Sequence, residues 1–348
     1  MKDLRIRGRD VFALAPLRSV SAALLFAASA LTAAPAMATT DPGNNGGTEP
    51  AVRNPIERTR LYVSPVSHAR RQADAWRRSR PQDAALMERM ASQAQAEWFG
   101  DWNRDVRGDV DRLVSAAAAS GAVPVLVAYN IPQRDCGHYS AGGARGADAY
   151  RKWIRGFAEG IRGRRAVVVL EPDALMVTHC LSAQKLEERL TLVREAVETL
   201  KARGATVYID AGSASGSRVD EMASKLTRAG VARADGFALN VSNFVGTARN
   251  VAHGEQISRH VGGKHFVIDT SRNGAGTASG GEWCNAPGQA LGAAPTTRTG
   301  HRLVDAFLWV KRPGESDGTC HGGPQAGQWW ADYALGLAKR QGGSLASR

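Results

Sequence analysis

The sequence predicts an α/β fold with parallel strands, and three observations carry that expectation. Helical and strand-like segments alternate from about residue 61 onward, a pattern that implies parallel strands joined by crossovers in a sheet or barrel. Three apolar runs lead into acidic residues: Val167-Val168-Val169-Leu170-Glu171-Pro172-Asp173, Val207-Tyr208-Ile209-Asp210, and residues 307–317, which contain Lys311, Glu315 and Asp317. One such residue reads as a turn former or helix cap. Three cases, joined by Asp135 and Asp269, point instead to carboxyls gathered at the C-terminal mouth of a barrel. Third, the strand at 123–129 runs into Asn130-Ile131-Pro132-Gln133-Arg134-Asp135-Cys136. That turn lacks the glycine fingerprint with which a doubly wound sheet receives phosphate.

Residues 67–95 are helical in character, with Leu86, Met87 and Met90 among their apolar positions. Residues 110–120 form a helix closed by Gly121, and 123–129 (VPVLVAY) an apolar strand. Over 147–161, Tyr150, Trp153, Ile154, Phe157 and Ile161 fall at helical spacing. A strand at 166–170 precedes a long helix over 183–202, stopped near Gly204. Further strands are expected at 206–209, 236–239, 265–268 and 306–310, and helices at 219–229, 255–261 and 328–338. Residues 269–300, rich in Gly, Thr, Ser and Pro, form a long irregular segment of the kind that is usually functional.

At the N-terminus, Lys2, Arg5, Arg7, Arg9 and Arg18 precede a short apolar stretch and the small-x-small site Ala36-Met37-Ala38. The pattern predicts a signal peptide over 1–38, a flexible leader over 39–55 and one folded domain over 56–345. Neither this stretch nor any later one is long enough to span a bilayer, so a soluble protein is expected, secreted or periplasmic. Formal charge is +12, or +9 without the five basic and two acidic residues of the signal. The arginines are scattered, with Arg70-Arg71 and Arg77-Arg78-Arg80 densest, and no nucleic-acid motif accompanies them, so a solvated basic face is expected rather than DNA or RNA binding. Four cysteines, Cys136, Cys180, Cys284 and Cys320, suggest two disulfides with three possible pairings. No C-x-x-C or paired-histidine spacing supports a metal, and no cofactor is expected.

Tyr129-Asn130-Ile131-Pro132-Gln133-Arg134-Asp135-Cys136 and Leu170-Glu171-Pro172-Asp173 resemble the signature of glycoside hydrolase family 6, the inverting cellulases. The likeness continues through Ile209-Asp210-Ala211-Gly212, Asn240-Val241-Ser242-Asn243-Phe244, Ile268-Asp269-Thr270-Ser271-Arg272-Asn273-Gly274, Glu282-Trp283-Cys284 and residues 311–317, and covers most of residues 61–340. The resemblance implies a distorted, incomplete parallel β/α barrel of about seven strands, TIM-like, with its active site at the C-terminal strand ends. It implies Asp173 as catalytic acid, Asp135 as the carboxylate that helps keep it protonated, and Asp317 as general base, acting directly or through water. Trp98 and Trp283 become sugar platforms, and Tyr129, Arg134, Asp210, Asn243, Lys311 and Glu315 further substrate-binding residues, although Asp210 is also suited to holding loop geometry. Cys136–Cys180 and Cys284–Cys320 become the disulfides. The expected activity is that of a monomeric endo-β-1,4-glucanase acting on cellulose or cello-oligosaccharides, without metal or membrane.

One segment departs from the family pattern. Asp210-Ala211-Gly212-Ser213-Ala214-Ser215-Gly216 places Ser213 where the family has histidine and Gly216 where it has tryptophan, both on the leaving-group side of the cleft. Losing a stacking platform costs about 1–2 kcal/mol of binding there. The rivals are therefore an inverting glycosidase for another β-glucan, such as mixed-linkage glucan, and a glucan-binding protein without catalysis. Retention of Asp173, Asp135 and Asp317 together argues against the latter, because binding alone needs no acid.

Overall fold

The computed structural model describes residues 53–341 of the 348. The expected signal peptide, most of the expected leader and residues 342–345 lie outside the described residues. Seven strands form one sheet in sequence order: β1 (Glu97–Phe99), β2 (Val125–Ala128), β3 (Val167–Leu170), β4 (Thr206–Asp210), β5 (Gly236–Leu239), β6 (His265–Asp269) and β7 (Val304–Leu308). Every neighbouring pair is parallel. The helices are α1 (His68–Trp76), α2 (Pro81–Ala91), α3 (Val106–Ala119), α4 (Ala147–Ile161), α5 (Ala183–Lys201), α6 (Val219–Arg228), α7 (Thr247–His260) and α8 (Ala331–Arg340). The result is the expected incomplete barrel.

Strand alternation sorts the apolar residues into two layers. Val125, Val127, Val167, Val169, Tyr208, Ala238, Val267, Ala306 and Leu308 pack with one another inside the curl. Their neighbours Leu126, Val168, Leu170, Val207, Ile209, Phe237, Phe266 and Ile268 pack outward with helix side chains such as Val110, Ile154, Phe157 and Val193. Ile56, from the segment before α1, joins the inner layer. Below it, the Asp305 carboxylate meets Tyr208 Oη and His265 Nδ1, each at 2.7 Å. The register slips between Phe266 and Val267 so that Asp305 is skipped, a bulge that lets β7 present this side chain.

The barrel does not close by a ladder. Ala96 N–H donates to Trp309 O at 3.0 Å, and Trp98 Nε1 donates to Val310 O at 2.8 Å. Beside this seam lies a separate apolar cluster in which Trp309 packs with Ala69 and Ala73 of α1, Met87 and Met90 of α2, and Tyr333, Leu335 and Leu337 of α8. Trp309 is thus a core side chain.

Two elements differ from expectation. The helical stretch over 67–95 is split, because Arg80 leaves helical geometry (φ −141°, ψ 63°) before Pro81, which opens α2; a residue preceding proline avoids helical geometry. The helix expected at 255 begins at Thr247 instead, with Gly254 inside it. A Cβ there would come within 2.4 Å of the Phe266 ring. Gly→Ala in a helix ordinarily gains up to about 1 kcal/mol. Gly254→Ala is expected instead to destabilise by about 1–3 kcal/mol through overpacking, read from the urea midpoint. A raised midpoint would show that Phe266 yields.

Candidate active site

Three buried carboxyls at the strand ends collect backbone N–H groups from neighbouring loops. Glu171, after β3, accepts the Asn130 and Ile131 N–H groups, each at 2.9 Å from Oε2. Asp210, ending β4, accepts the Asp173 N–H at 3.0 Å and the Gly212 N–H at 3.2 Å. Asp269, ending β6, accepts from Ser271 and Lys311 at 2.9 Å, Ser242 at 3.1 Å and Val310 at 3.3 Å. Asn240, after β5, donates to Asp269 O at 2.8 Å. Each side chain thus joins its own strand end to the loop or end of a neighbouring strand. The loops they hold are strained: Asp135, Glu171, Asp173, Asn240 and Ser242 have φ of 57°, 49°, 66°, 68° and 59°. Such conformations cost about 1–3 kcal/mol each and persist only where the surroundings fix them.

Above this layer Asp173, Asp135 and Asp317 line one cleft of about 890 Å³. Asp173 is partly accessible from the cleft and enclosed by protein elsewhere. Burial, then the Asp135 and Asp317 carboxylates, push its carboxyl up to about 7, against a smaller opposing pull from Lys311. Asp135 Oδ2 accepts the Ser140 N–H at 2.8 Å, which curls its loop back on itself. Asp317 has the opposite surroundings. Arg272 Nη1 lies 2.8 Å from Oδ2, Lys311 Nζ 3.2 Å from Oδ1, and the Asn285 N–H donates to Oδ2 at 2.9 Å. Burial raises the Asp317 carboxyl, but the two cations and the N–H outweigh it and hold it below the ordinary value. Glu315 is treated similarly: burial raises it, while His68, Arg312 and Lys311 together hold it low.

Trp98, Tyr129, Arg134, Asn243, Trp283, Lys311 and Glu315 all line the same cleft. Asp210 does not; it is buried beneath Asp173. Arg134 is buried and committed to protein, donating to Tyr129 O at 2.7 Å, Ser140 O at 2.8 Å and Asp101 Oδ1 at 3.1 Å. It therefore braces the Asp135 loop. Trp98 is half-buried, edge-on to Tyr129 at 5.1 Å, and Trp283 is exposed. Both disulfides form as expected: Cys136–Cys180 ties the Asp135 loop to the segment after Asp173, and Cys284–Cys320 ties the Trp283 segment to the Asp317 loop. Tyr139 connects the two tied regions, its ring 6.1 Å from Trp283 and so near Gly318 that a Cβ there would come within 2.4 Å.

Sequence reasoning did not assign roles to Arg272, Asn285, Tyr139 or Trp102. Arg272 and Asn285 reach Asp317 across 45 and 32 residues of sequence, and nothing in local pattern signals such pairs. Tyr139 and Trp102 had a visible signal, an aromatic residue in a polar loop beside a motif.

An incomplete β/α barrel whose C-terminal cleft holds one carboxyl near neutrality and another held ionised defines a carboxyl-based site. The chain belongs to the glycosyl hydrolases family 6, whose sequence profile matches residues 56–341. It is 45% identical over 281 residues to endoglucanase A of Cellulomonas fimi, covering 80% of this chain and 61% of that protein. It is 38% identical to endoglucanase 1 of Streptomyces halstedii, covering 91% of this chain and 97% of that protein. The fold matches the endoglucanase Cel6 of Mycobacterium tuberculosis, solved with methyl-cellobiosyl-4-deoxy-4-thio-β-D-cellobioside, with TM-score 0.80 and 46% identity over 83% of this chain and all of that one. The chain spans about three fifths of the Cellulomonas fimi protein and 58% of endoglucanase A of Thermobispora bispora.

Arg272→Met is expected to destabilise the fold by about 3–5 kcal/mol, because it strips a buried carboxylate of its best partner. Urea unfolding at pH 7 measures this, and a loss below 1 kcal/mol would mean that Lys311 alone compensates Asp317.

Proposed function

We propose that this chain is an exported endo-β-1,4-glucanase that hydrolyses internal glucosidic bonds with inversion. The observation that carries the reading is the division of charge in one cleft, with Asp173 pushed up to about 7 and Asp317 held low. Cleavage with inversion needs an acid that is still protonated near neutral pH and a base that is not. Asp173 gives its proton to the leaving oxygen as the glycosidic bond breaks. Asp317 takes a proton from the water attacking the opposite face of the sugar, directly or through a second water. One proton is given and one taken, so the cycle closes when Asp317 returns its proton to solvent and Asp173 regains one.

A carboxylate paired with two cations is a weak base, yet the transition state asks little of it. Bond breaking runs ahead of attack and leaves an oxocarbenium-like centre, so Asp317 mainly has to orient the water and accept a proton late. Asp135 raises the Asp173 carboxyl through space. Glu315 and Lys311 stand where sugar hydroxyls can reach them, and Trp98 and Trp283 offer aromatic faces to the apolar sides of glucose rings. The endoglucanase names of the relatives support the substrate class, and the cellobioside bound to the Mycobacterium tuberculosis enzyme supports a β-1,4-linked glucan. Export is supported by the N-terminal sequence and by two disulfides.

One observation favours a second substrate. Ser213 and Gly216, at the positions where the family pattern has histidine and tryptophan, line the cleft together with Ser215. Ser213 Oγ lies 3.1 Å from Ser215 Oγ, and a Cβ on Gly216 would come within 3.0 Å of Met176 Sδ. A flat stacking surface is replaced by small polar groups, which suits a glucan of different linkage or shape.

Asp173→Asn is expected to abolish cleavage of barley β-glucan and carboxymethylcellulose while leaving the unfolding midpoint near that of the wild type. Near-normal turnover would sink the acid assignment. Fresh products are expected to be α-anomers by proton NMR, and β-anomers would exclude inversion. Activity requires protonated Asp173, so it falls as pH rises through the carboxyl value of about 7. Asp135→Asn removes a like charge, lowers that value and is expected to move the alkaline limb of kcat/KM to lower pH. A limb that stays put would remove Asp135 from the electrostatics.

A further inference from the structure

Large apolar side chains left in solvent are few among the described residues: Val63, Val66, Trp102, Tyr139 and Trp283. All three aromatics in that set line the cleft, whereas neither valine does. Trp283 already has a part in the proposed function and Tyr139 bridges the two disulfide-tied regions, whereas Trp102, 52% exposed, has been given no part in either. Its indole N–H has no hydrogen-bond partner among the described residues.

The loop that carries Trp102 is built to hold it. Gly100 N–H donates to Asn103 Oδ1 at 2.9 Å, Asn103 N–H returns to Gly100 O at 3.1 Å, and Asn103 Nδ2 anchors on Asp109 at 2.8 Å. Asp101 binds the Arg134 guanidinium at 3.1 Å. The six-membered part of the indole rests against Gly100, where a Cβ would come within 2.4 Å of it. The Arg134 guanidinium carbon lies 4.4 Å from the Tyr129 ring centroid and 5.4 Å from that of Trp102. Trp102 therefore stands one guanidinium further out than Tyr129, which lies edge-on to Trp98 and lines the cleft with Asp173.

Holding a tryptophan half in water on a hydrogen-bonded loop gains nothing for folding and saves ordering entropy when a ligand arrives. We infer that Trp102 is an additional sugar-binding platform, an outer position beyond Trp98 that stacks on a further glucose unit of the same chain and sets the minimum length of a good substrate. The inference rests on the proposed action on β-1,4-glucan and goes beyond it in assigning the extra position.

The test compares Trp102→Ala with wild type on cello-oligosaccharides of three to six units. Stacking of this kind is worth about 0.5–1.5 kcal/mol. The expected result is a fall in kcat/KM of about two- to tenfold on the longest oligomer, with no change on the shortest one cleaved and recovery in Trp102→Tyr. An equal loss at every length would make Trp102 a brace for Arg134, and no loss at any length would leave it idle; both overturn the inference. Calorimetric binding of cellohexaose and cellotriose to Asp173→Asn, with and without Trp102→Ala, separates this from failure of the glucanase reading. If Asp173→Asn binds cellohexaose while the wild type cleaves nothing, the hydrolase proposal fails and the platform still stands or falls on the length-dependent loss of affinity. If cellohexaose does not bind even with Trp102 intact, both fall.

Discussion

Burying a carboxyl removes the water that would stabilise its charge, so what surrounds it decides whether it stays ionised. The cleft uses this constraint twice with opposite results. Asp173 has the carboxylates of Asp135 and Asp317 as its main charged neighbours, and Asp317 has Arg272 and Lys311. The same residue type at the same barrel mouth therefore ends on two sides of its usual behaviour. Lys311 belongs to both, pulling Asp173 down slightly while it holds Asp317, so the pair is electrically linked as well as adjacent.

That arrangement needs accurate placement, which the layer beneath supplies. Asp210 grips the backbone of Asp173, Glu171 grips the turn that leads to Asp135, and Asp269 grips the start of the segment that ends at Asp317. Acidic residues of the strand ends thus divide into those that face the cleft and those that hold the facing ones in strained conformations. The disulfides extend the same logic outward, fastening each loop at a second point. Cross-links closing separations of 44 and 36 residues are worth at most about 4 kcal/mol each through the unfolded chain. Their positions also restrict the loops that carry Asp135 and Asp317.

Most of the barrel was legible because each strand is a short apolar run and each crossover helix has an amphipathic period. The β-region of Trp98 was harder, since three residues carry little pattern. The first half of helix α7 was hidden because Asn250, His253 and Gly254 there are placed for packing rather than for propensity. In the site, Asp135, Asp173 and Asp317 stood out by motif, as did the aromatic Trp98 and Trp283. For Asp210 the sequence left two roles open, substrate binding and holding loop geometry, and its bonds to the Asp173 and Gly212 N–H groups favour the second. The sequence could not find Arg272, whose buried guanidinium meets Asp317 only after β6 and β7 are paired.

The chemistry of the cleft turns on where one proton resides. Carboxyl-carbon NMR of the aspartates, with Asp173 assigned by its loss in Asp173→Asn, tests it without any substrate. The Asp173 resonance is expected to titrate close to neutral pH while Asp317 remains ionised down to acidic pH. An Asp173 titrating near the ordinary value of about 4, or an Asp317 that gains its proton first on acidification, would contradict it.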